Sequence, residues 1–299
     1  IKSLDEQKYQ LKKKPKILIL TEWFVPGYKA GGPIKSCFYF AQNMADYYDI
    51  HVLTTNKDLG DDMEYSDTKP NEWNGSKDGK YTIYYLNNPS KPLLLNIIKE
   101  TSPDYIYINS MFSFYFSVLP IYLKFVGSIK SKLIITPRGM LHKGALKYKS
   151  FKKIIYLVAL NLFRVDRHLI FQATDSQEQK DILRYFPNAK KVPTIPNFIL
   201  QNRKAFEPIK KDKGTLKLIF ISRISAKKNL MFILQVLMHV DDKIDLSIVG
   251  PIEDQTYWTE CKKLIKQTPA NTTVKYFGSI PPSKVNALLK SHHVFVLPS

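Results

Sequence analysis

KLIFISRI (Lys217–Ile224), DLSIVG (Asp245–Gly250), TVKYFG (Thr273–Gly278) and VFVLPS (Val294–Ser299) are four apolar runs too short for helices and rich in β-branched and aromatic residues. Helical patterns begin between them, near Lys228, Gln255 and Pro282. Strands alternating with helices at this spacing predict βαβαβαβ and a parallel sheet, because parallel strands need a crossover and the helix supplies it. Ligands of such sheets bind beyond the carboxyl ends of the strands.

The same pattern reaches back to the start of the chain. KILIL (Lys16–Leu20) has the unbroken apolar character of a strand buried on both faces. The loop TEWFVPGYKAGGP follows, with Gly27, Gly31, Gly32 and Pro33, and a helix is expected from Ile34 to Tyr47 with Pro33 in its first turn. Further strands are expected at Ile50–Thr55, Tyr81–Leu86, Tyr105–Asn109, Lys132–Pro137 and Leu169–Thr174, and the polar stretch Asp58–Lys80 reads as a surface excursion. QNRKAFEPIKKDKG (Gln201–Gly214) is charged and poor in apolar residues, which marks a linker. The expected organisation is α/β: a Rossmann-like domain over residues 1–200, a linker over 201–214 and a second Rossmann-like domain over 215–299.

Forty-five Lys and Arg against 26 Asp and Glu give a formal charge of +19, a field that favours anionic partners without choosing among phosphorylated small molecules, lipid head groups and nucleic acid. No helix-turn-helix, zinc or RNA-recognition signature accompanies the charge, so nucleic acid is set aside. Cys37 and Cys261 are too far apart in sequence to suggest a disulfide framework or a metal knuckle, which fits a reducing cytoplasm. The segment IKSLDEQKYQLKKKPK carries no apolar core of a signal peptide. The most apolar run, IIYLVALNLF (Ile154–Phe163), is half the ~20 residues of a bilayer span and is flanked by Lys152, Lys153 and Arg164. Its apolar positions Ile155, Leu157, Val158, Leu162 and Phe163 recur at helical spacing, the pattern of a core-facing helix, with an interfacial helix as the alternative.

SRISAKKN (Ser222–Asn229) stands where a strand ends and a helix begins, so Arg223, Lys227, Lys228 and the helix N-terminus are candidates to converge on one anion. A planar Arg fork beside a compact Lys charge suits a diphosphate and stabilises a departing one without metal. PRGML places Arg138 and Gly139 after a buried strand, again at a carboxyl end. Thr174, Asp175, Ser176 and Glu178 read as a helix cap. There is no G-x-G-x-x-G fingerprint for a dinucleotide, no G-x-S-x-G elbow and no paired metal-ligand spacing, His292 and His293 being merely adjacent.

Taken in order, PGYKAGGP, TPRGML (Thr136–Leu141), ATDSQEQ (Ala173–Gln179), IPNF (Ile195–Phe198), SRISAKKN, IVGP (Ile248–Pro251), FGSIPPSKV (Phe277–Val285) and VLPS resemble glycosyltransferase family 4, retaining enzymes of GT-B fold, over nearly the whole chain. The resemblance implies two parallel sheets facing across a cleft, with the C-terminal domain incomplete. It implies a strand-end Arg and a Lys five residues later on the donor's phosphates, here Arg223 and Lys228, which also act as the catalytic pair on the leaving diphosphate. Gly31, Gly32, Gly250, Pro251 and Ser299 complete the implied donor set, and Arg138, Gly139 and His142 the acceptor set. The family's two donor-site glutamates, seven residues apart, fall beyond Ser299, which implies truncation before that motif. The expected activity is transfer from a nucleotide-diphosphate sugar to a glycan or lipid-linked acceptor in surface polysaccharide synthesis, with no metal or other cofactor. The expected location is the cytoplasm or its anionic membrane face. The competing reading is a catalytically inactive, truncated family member that binds a ligand or partner.

Overall fold

The computed structural model describes residues 14–146, 150–198 and 209–298. Ser299 and residues 201–208 of the expected linker lie outside them. The chain divides into two compact units, residues 1–201 and 202–299.

In the first unit β1 (Lys16–Leu20), β2 (Asp49–Thr55), β3 (Trp73–Gly75), β4 (Thr82–Leu86), β5 (Tyr105–Ile108), β6 (Lys132–Ile135) and β7 (Leu169–Phe171) form one sheet in the order β3-β4-β2-β1-β5-β6-β7. Every pairing is parallel except β3 with β4. The unbroken apolar run of β1 has a direct physical cause: Leu18 and Leu20 point into one core and Ile17 and Ile19 into another on the opposite face. α1 (Gly32–Met44) covers the second face through Cys37 and Ala41. α2 (Lys91–Thr101), α3 (Leu119–Phe125), α4 (Lys143–Leu146), α5 (Ser150–Leu162) and α6 (Ser176–Tyr185) contribute to the first. The stretch 58–80 is mostly exposed, as expected, yet it is not only an excursion. Trp73 sits edge-on against Tyr84 and His51 and brings the three-residue β3 alongside β4.

The second unit has β8 (Thr215–Ile221), β9 (Lys243–Val249), β10 (Thr272–Tyr276) and β11 (Val294–Phe295) in the parallel order β10-β9-β8-β11. α7 (Leu230–Leu237), α8 (Gln255–Gln267) and α9 (Pro282–Lys290) are its crossovers. Leu218, Phe220, Leu246 and Ile248 from the sheet pack with Leu230, Leu234 and Leu237 of α7 and Trp258 and Cys261 of α8. Asp254 caps α8 by accepting the Tyr257 amide at 2.9 Å.

One expectation is corrected. Of the five apolar positions read as a core-facing stripe, only Leu157 is buried; Ile155, Val158, Leu162 and Phe163 are exposed, Leu162 to 75%. A second exposed set, Phe151 and Ile154, lies on the same helix. The period was right for a helix, but Leu157 and Leu160 suffice to anchor it, and the wider stripe faces outward. Among the described residues no helix is long and apolar enough to cross a membrane.

Candidate functional site

Two sets of side chains stand at carboxyl ends of strands, one in each unit. In the first unit a cavity of about 460 Å³ opens beyond β1 and β5. Its polar lining includes Thr21, Glu22, Asn109, Ser110, Ser113 and Lys153, and its apolar walls include Trp23, Phe112 and Phe114. Hydroxyls, an amide, a carboxyl and flat aromatic faces in one crevice suit a polyhydroxylated ligand. Asn109 organises the crevice floor. Its amide donates to the Pro33 carbonyl at 3.2 Å, tying β5 to the start of α1, and its oxygen accepts from Arg138 Nε at 2.6 Å.

Glu22 was not singled out from sequence, because a lone carboxylate after a strand has no spacing to betray it. Burial in the crevice pushes its carboxyl above the ordinary value, opposed by a hydrogen bond with Ser113. A raised native pKa means the folded chain binds this proton more tightly than the unfolded one, so stability is lost as pH rises from the unfolded value through the native one. Glu22→Gln removes that loss. The variant is expected to melt above wild type at pH 7 and to converge with it at pH below the unfolded carboxyl value. Calorimetric melting at both pH values measures it, and an equal gap at each would show that burial of charge is not the cause.

Arg138 has φ +55°, and its guanidinium is shared among Asn109, Asn197 and the Tyr107 hydroxyl, the last at 2.9 Å. It lines a separate small cavity of about 150 Å³ with Phe40, Gln172 and Phe198. Three of its five N–H groups are thus engaged by neutral oxygens, and a ligand anion would meet a side chain already oriented by its neighbours. Gly139 follows with φ +72°, and its amide donates to Glu178 at 2.7 Å. Glu178 is the second residue whose role sequence understated. Beyond any capping function it is buried, accepts from the Thr174 amide and hydroxyl at 2.7 and 2.6 Å, and ties α6 to the PRGML loop. The helix cap itself is Asp175, accepting from the Glu178 amide at 2.8 Å.

His142 is exposed, and its Nδ1 accepts from the Gly144 amide at 3.3 Å at the start of α4. Met140 and Ala145 on either side line the crevice, and the imidazole is absent from it. At Gly31 and Gly32 an added Cβ meets nothing within 4 Å, so the backbone there is open to close approach, and Gly31 further needs its φ of +68°. Gly27 is packed instead: a Cβ would lie 2.2 Å from the Tyr65 hydroxyl. The loop is pinned by the buried carboxylate of Asp58, which accepts the amides of Tyr28 and Lys29 at 2.7 and 3.0 Å.

In the second unit Arg223 and Lys228 follow β8, as the sequence implied, but the connection differs in two respects. Residues Ala226–Lys228 form a 3-10 turn, and α7 starts only after Asn229, whose φ is +52°. The Met231 amide at the start of α7 already donates to the Tyr257 hydroxyl at 2.9 Å, so one of the helix's free donors is engaged. Arg223 pairs with Glu253 at 2.6 Å, both side chains about half exposed. Glu253 is therefore a resting counter-ion that sequence reasoning missed. Gly250 has φ +136°, and a Cβ there would lie 2.0 Å from the Ser222 carbonyl oxygen. The Pro251 carbonyl accepts from the Ile224 amide at 2.8 Å. These contacts hold the ends of β8 and β9 together and give Gly250 a structural reason to be glycine. Among the described residues no cluster of three or more His, Cys, Asp or Glu is arranged to hold a metal ion.

Two α/β units, each built on a mostly parallel sheet with helical crossovers, have the architecture of the GT-B fold class. Solved structures similar to this chain bear that out, at identities that speak to fold alone. Anabaena HepE in complex with UDP and glucose aligns with a TM-score of 0.60 at 16% identity, over 89% of this chain and 70% of that one. The catalytic domain of starch synthase IV from Arabidopsis thaliana, bound to ADP and acarbose, aligns at 0.59 and 10%, over 96% and 78%. AviGT4, a glycosyltransferase involved in avilamycin A biosynthesis, aligns at 0.53 and 12%, over 94% and 69%. Residues 201–299 match the family described as Glycosyl transferases group 1. Family match and fold together support a glycosyltransferase. No curated protein sequence matches the chain.

Proposed function

We propose that this protein is a retaining glycosyltransferase of the family 4 type, moving a sugar from a nucleotide-diphosphate donor to a glycan or lipid-linked acceptor in surface polysaccharide synthesis. The observation that carries the reading is the strand-end pair Arg223 and Lys228 inside the segment that matches Glycosyl transferases group 1. As the diphosphate leaves, negative charge grows on its oxygens and positive charge on the sugar ring; a guanidinium and an ammonium offset the former without a metal. Gly31 and Gly32, where the backbone is bare, and Gly250 and Pro251 belong to the donor side of this reading. The crevice beyond β1 and β5 belongs to the acceptor, with Glu22 accepting from an acceptor hydroxyl. Arg138 and Gly139 support it from behind through Asn109 and Glu178, whereas His142 caps a helix.

The nucleotides named for similar structures, UDP-glucose in HepE and ADP in the starch synthase, set the probes. Calorimetric titration of the chain with UDP, ADP and GDP is expected to show saturable binding of at least one. Absence of binding to all three at millimolar concentration would overturn the donor assignment. Turnover, read as sugar-dependent release of the nucleotide from its sugar conjugate, separates an enzyme from a binding protein.

Peripheral attachment to an anionic membrane face completes the proposal. Supporting it are the outward apolar face of α5, the basic residues Lys152 and Arg164 at its ends, and the chain's charge of +19.

A further inference from the structure

Two adjoining hollows lie at the opposite end of the first unit's sheet from the crevice, where β6 and β7 begin. One, of about 460 Å³, is lined by Lys124, Lys132, Arg167, His168, Lys190 and Lys191 among others; its neighbour, about 660 Å³ and open, shares Arg167, His168 and Lys190 and adds Asn188. Among the described residues no carboxylate lines either. The acidic member of the turn Val165–His168, Asp166, is buried beneath and accepts the Asn188 amide at 3.2 Å. Lys132 is held over the Tyr105 ring and Lys124 donates to the Lys130 carbonyl at 3.0 Å, so part of the cationic wall has a defined position. Five cations gathered in the described lining present a positive face that an anion complements.

The hollow is continuous with the apolar face of α5. The turn carrying Arg167 and His168 follows α5 directly. Phe125, adjacent to Lys124, lies 6.0 Å from Phe163 and 6.5 Å from His168, ring centre to ring centre. Phe151, Ile154, Ile155, Val158 and Leu162 extend the exposed surface along the helix. Apolar side chains beside a basic hollow match the layering of an anionic bilayer, acyl chains beneath phosphates.

We infer that this hollow is a binding site for the phosphate of an anionic lipid head group, seated while α5 lies in the membrane surface. The inference rests on the peripheral attachment proposed above and adds a specific phosphate site to it, remote from the crevice.

The test is co-sedimentation of the full chain with vesicles of phosphatidylcholine alone and of phosphatidylcholine with phosphatidylglycerol, at physiological salt. The hollow variant is R167Q/K190Q/K191Q; a control of equal charge change is K262Q/K266Q/K290Q, on exposed positions of the second unit. At about 1 kcal/mol for each basic residue near an anionic surface, the hollow variant is expected to partition roughly a hundredfold more weakly onto anionic vesicles, with the control much closer to wild type. Equal loss in both variants, or none in the hollow variant, overturns the site while leaving membrane attachment standing. Failure of wild type to bind anionic vesicles overturns both. Inorganic phosphate is the remaining arm: if it shifts the His168 ring resonances of wild type and not of the hollow variant while vesicles bind neither, the site takes soluble phosphate and the lipid assignment falls.

Discussion

Replacing Gly250 with alanine is expected to lower the melting temperature of the C-terminal unit by about 10–45 °C, while leaving the first unit close to unchanged. The added Cβ would stand 2.0 Å from the Ser222 carbonyl oxygen and 2.7 Å from its carbon, backbone atoms that no rotamer change can move aside. The residue's φ of +136° is also one that side chains rarely adopt. Overpacking costs about 1–3 kcal/mol and a conformation of this kind about as much again; for a unit of this size each kcal/mol lowers the midpoint by roughly 4–8 °C. The separation of β8 from β9 that would relieve the clash breaks the bonds Ser222 and Ile224 make to Val249 and Pro251. Gly278→Ala supplies the comparison. Its φ is +69° but an added Cβ meets nothing within 4 Å, so only the backbone term of ~1 kcal/mol applies. Peptide-resolved hydrogen exchange during thermal melting assigns each transition to its unit, and a Gly250→Ala midpoint within about 3 °C of wild type would contradict the close approach.

Gly250 also shows how far sequence reading reaches. The runs KILIL and KLIFISRI declare themselves as strands because a parallel strand covered on both faces has little choice but an unbroken apolar string, whereas the strand order is visible only in the structure. A glycine after a strand, however, looks the same whether a ligand or a neighbouring strand demands it; only the 2.0 Å approach to Ser222 distinguishes them. Glu178 looked like a capping residue because capping is local and therefore legible, whereas its bond to Gly139 spans 39 positions. Glu22 had no local pattern at all. Helical period at Ile155, Val158 and Leu162 located α5 without revealing its orientation, since a moment gives the direction of an apolar stripe and not what covers it. Type and position at a strand end single out Arg223 and Lys228 as candidates, whereas nothing local points to Glu253, thirty residues on, as the partner of Arg223.

That counter-ion shapes the second large prediction. On the proposed donor assignment, Arg223→Ala with Lys228→Ala is expected to weaken binding of the nucleoside diphosphate, with UDP as the first probe, by roughly a hundred- to a thousandfold. Each charge-assisted hydrogen bond to a phosphate contributes about 1.5–3 kcal/mol, and the half exposure of Arg223 argues for the lower end of the sum. The C-terminal unit should fold as before, because neither side chain contributes to its core. Glu253→Gln acts in the opposite direction. In this structure a carboxylate competes with a diphosphate for Arg223, and an exposed pair of this kind is worth about 0.2–1 kcal/mol, so its removal is expected to strengthen nucleotide binding up to about fivefold. The two outcomes are linked: in the Arg223→Ala background Glu253→Gln should change UDP affinity far less than in wild type, since the group it competes for is gone. Calorimetric titration of the four proteins in this cycle reads the coupling directly. Additive effects would mean that Arg223 stays on Glu253 when nucleotide binds, leaving Lys228 to meet the diphosphate alone; an unchanged affinity in the double Ala variant would move the donor phosphates away from the end of β8 altogether.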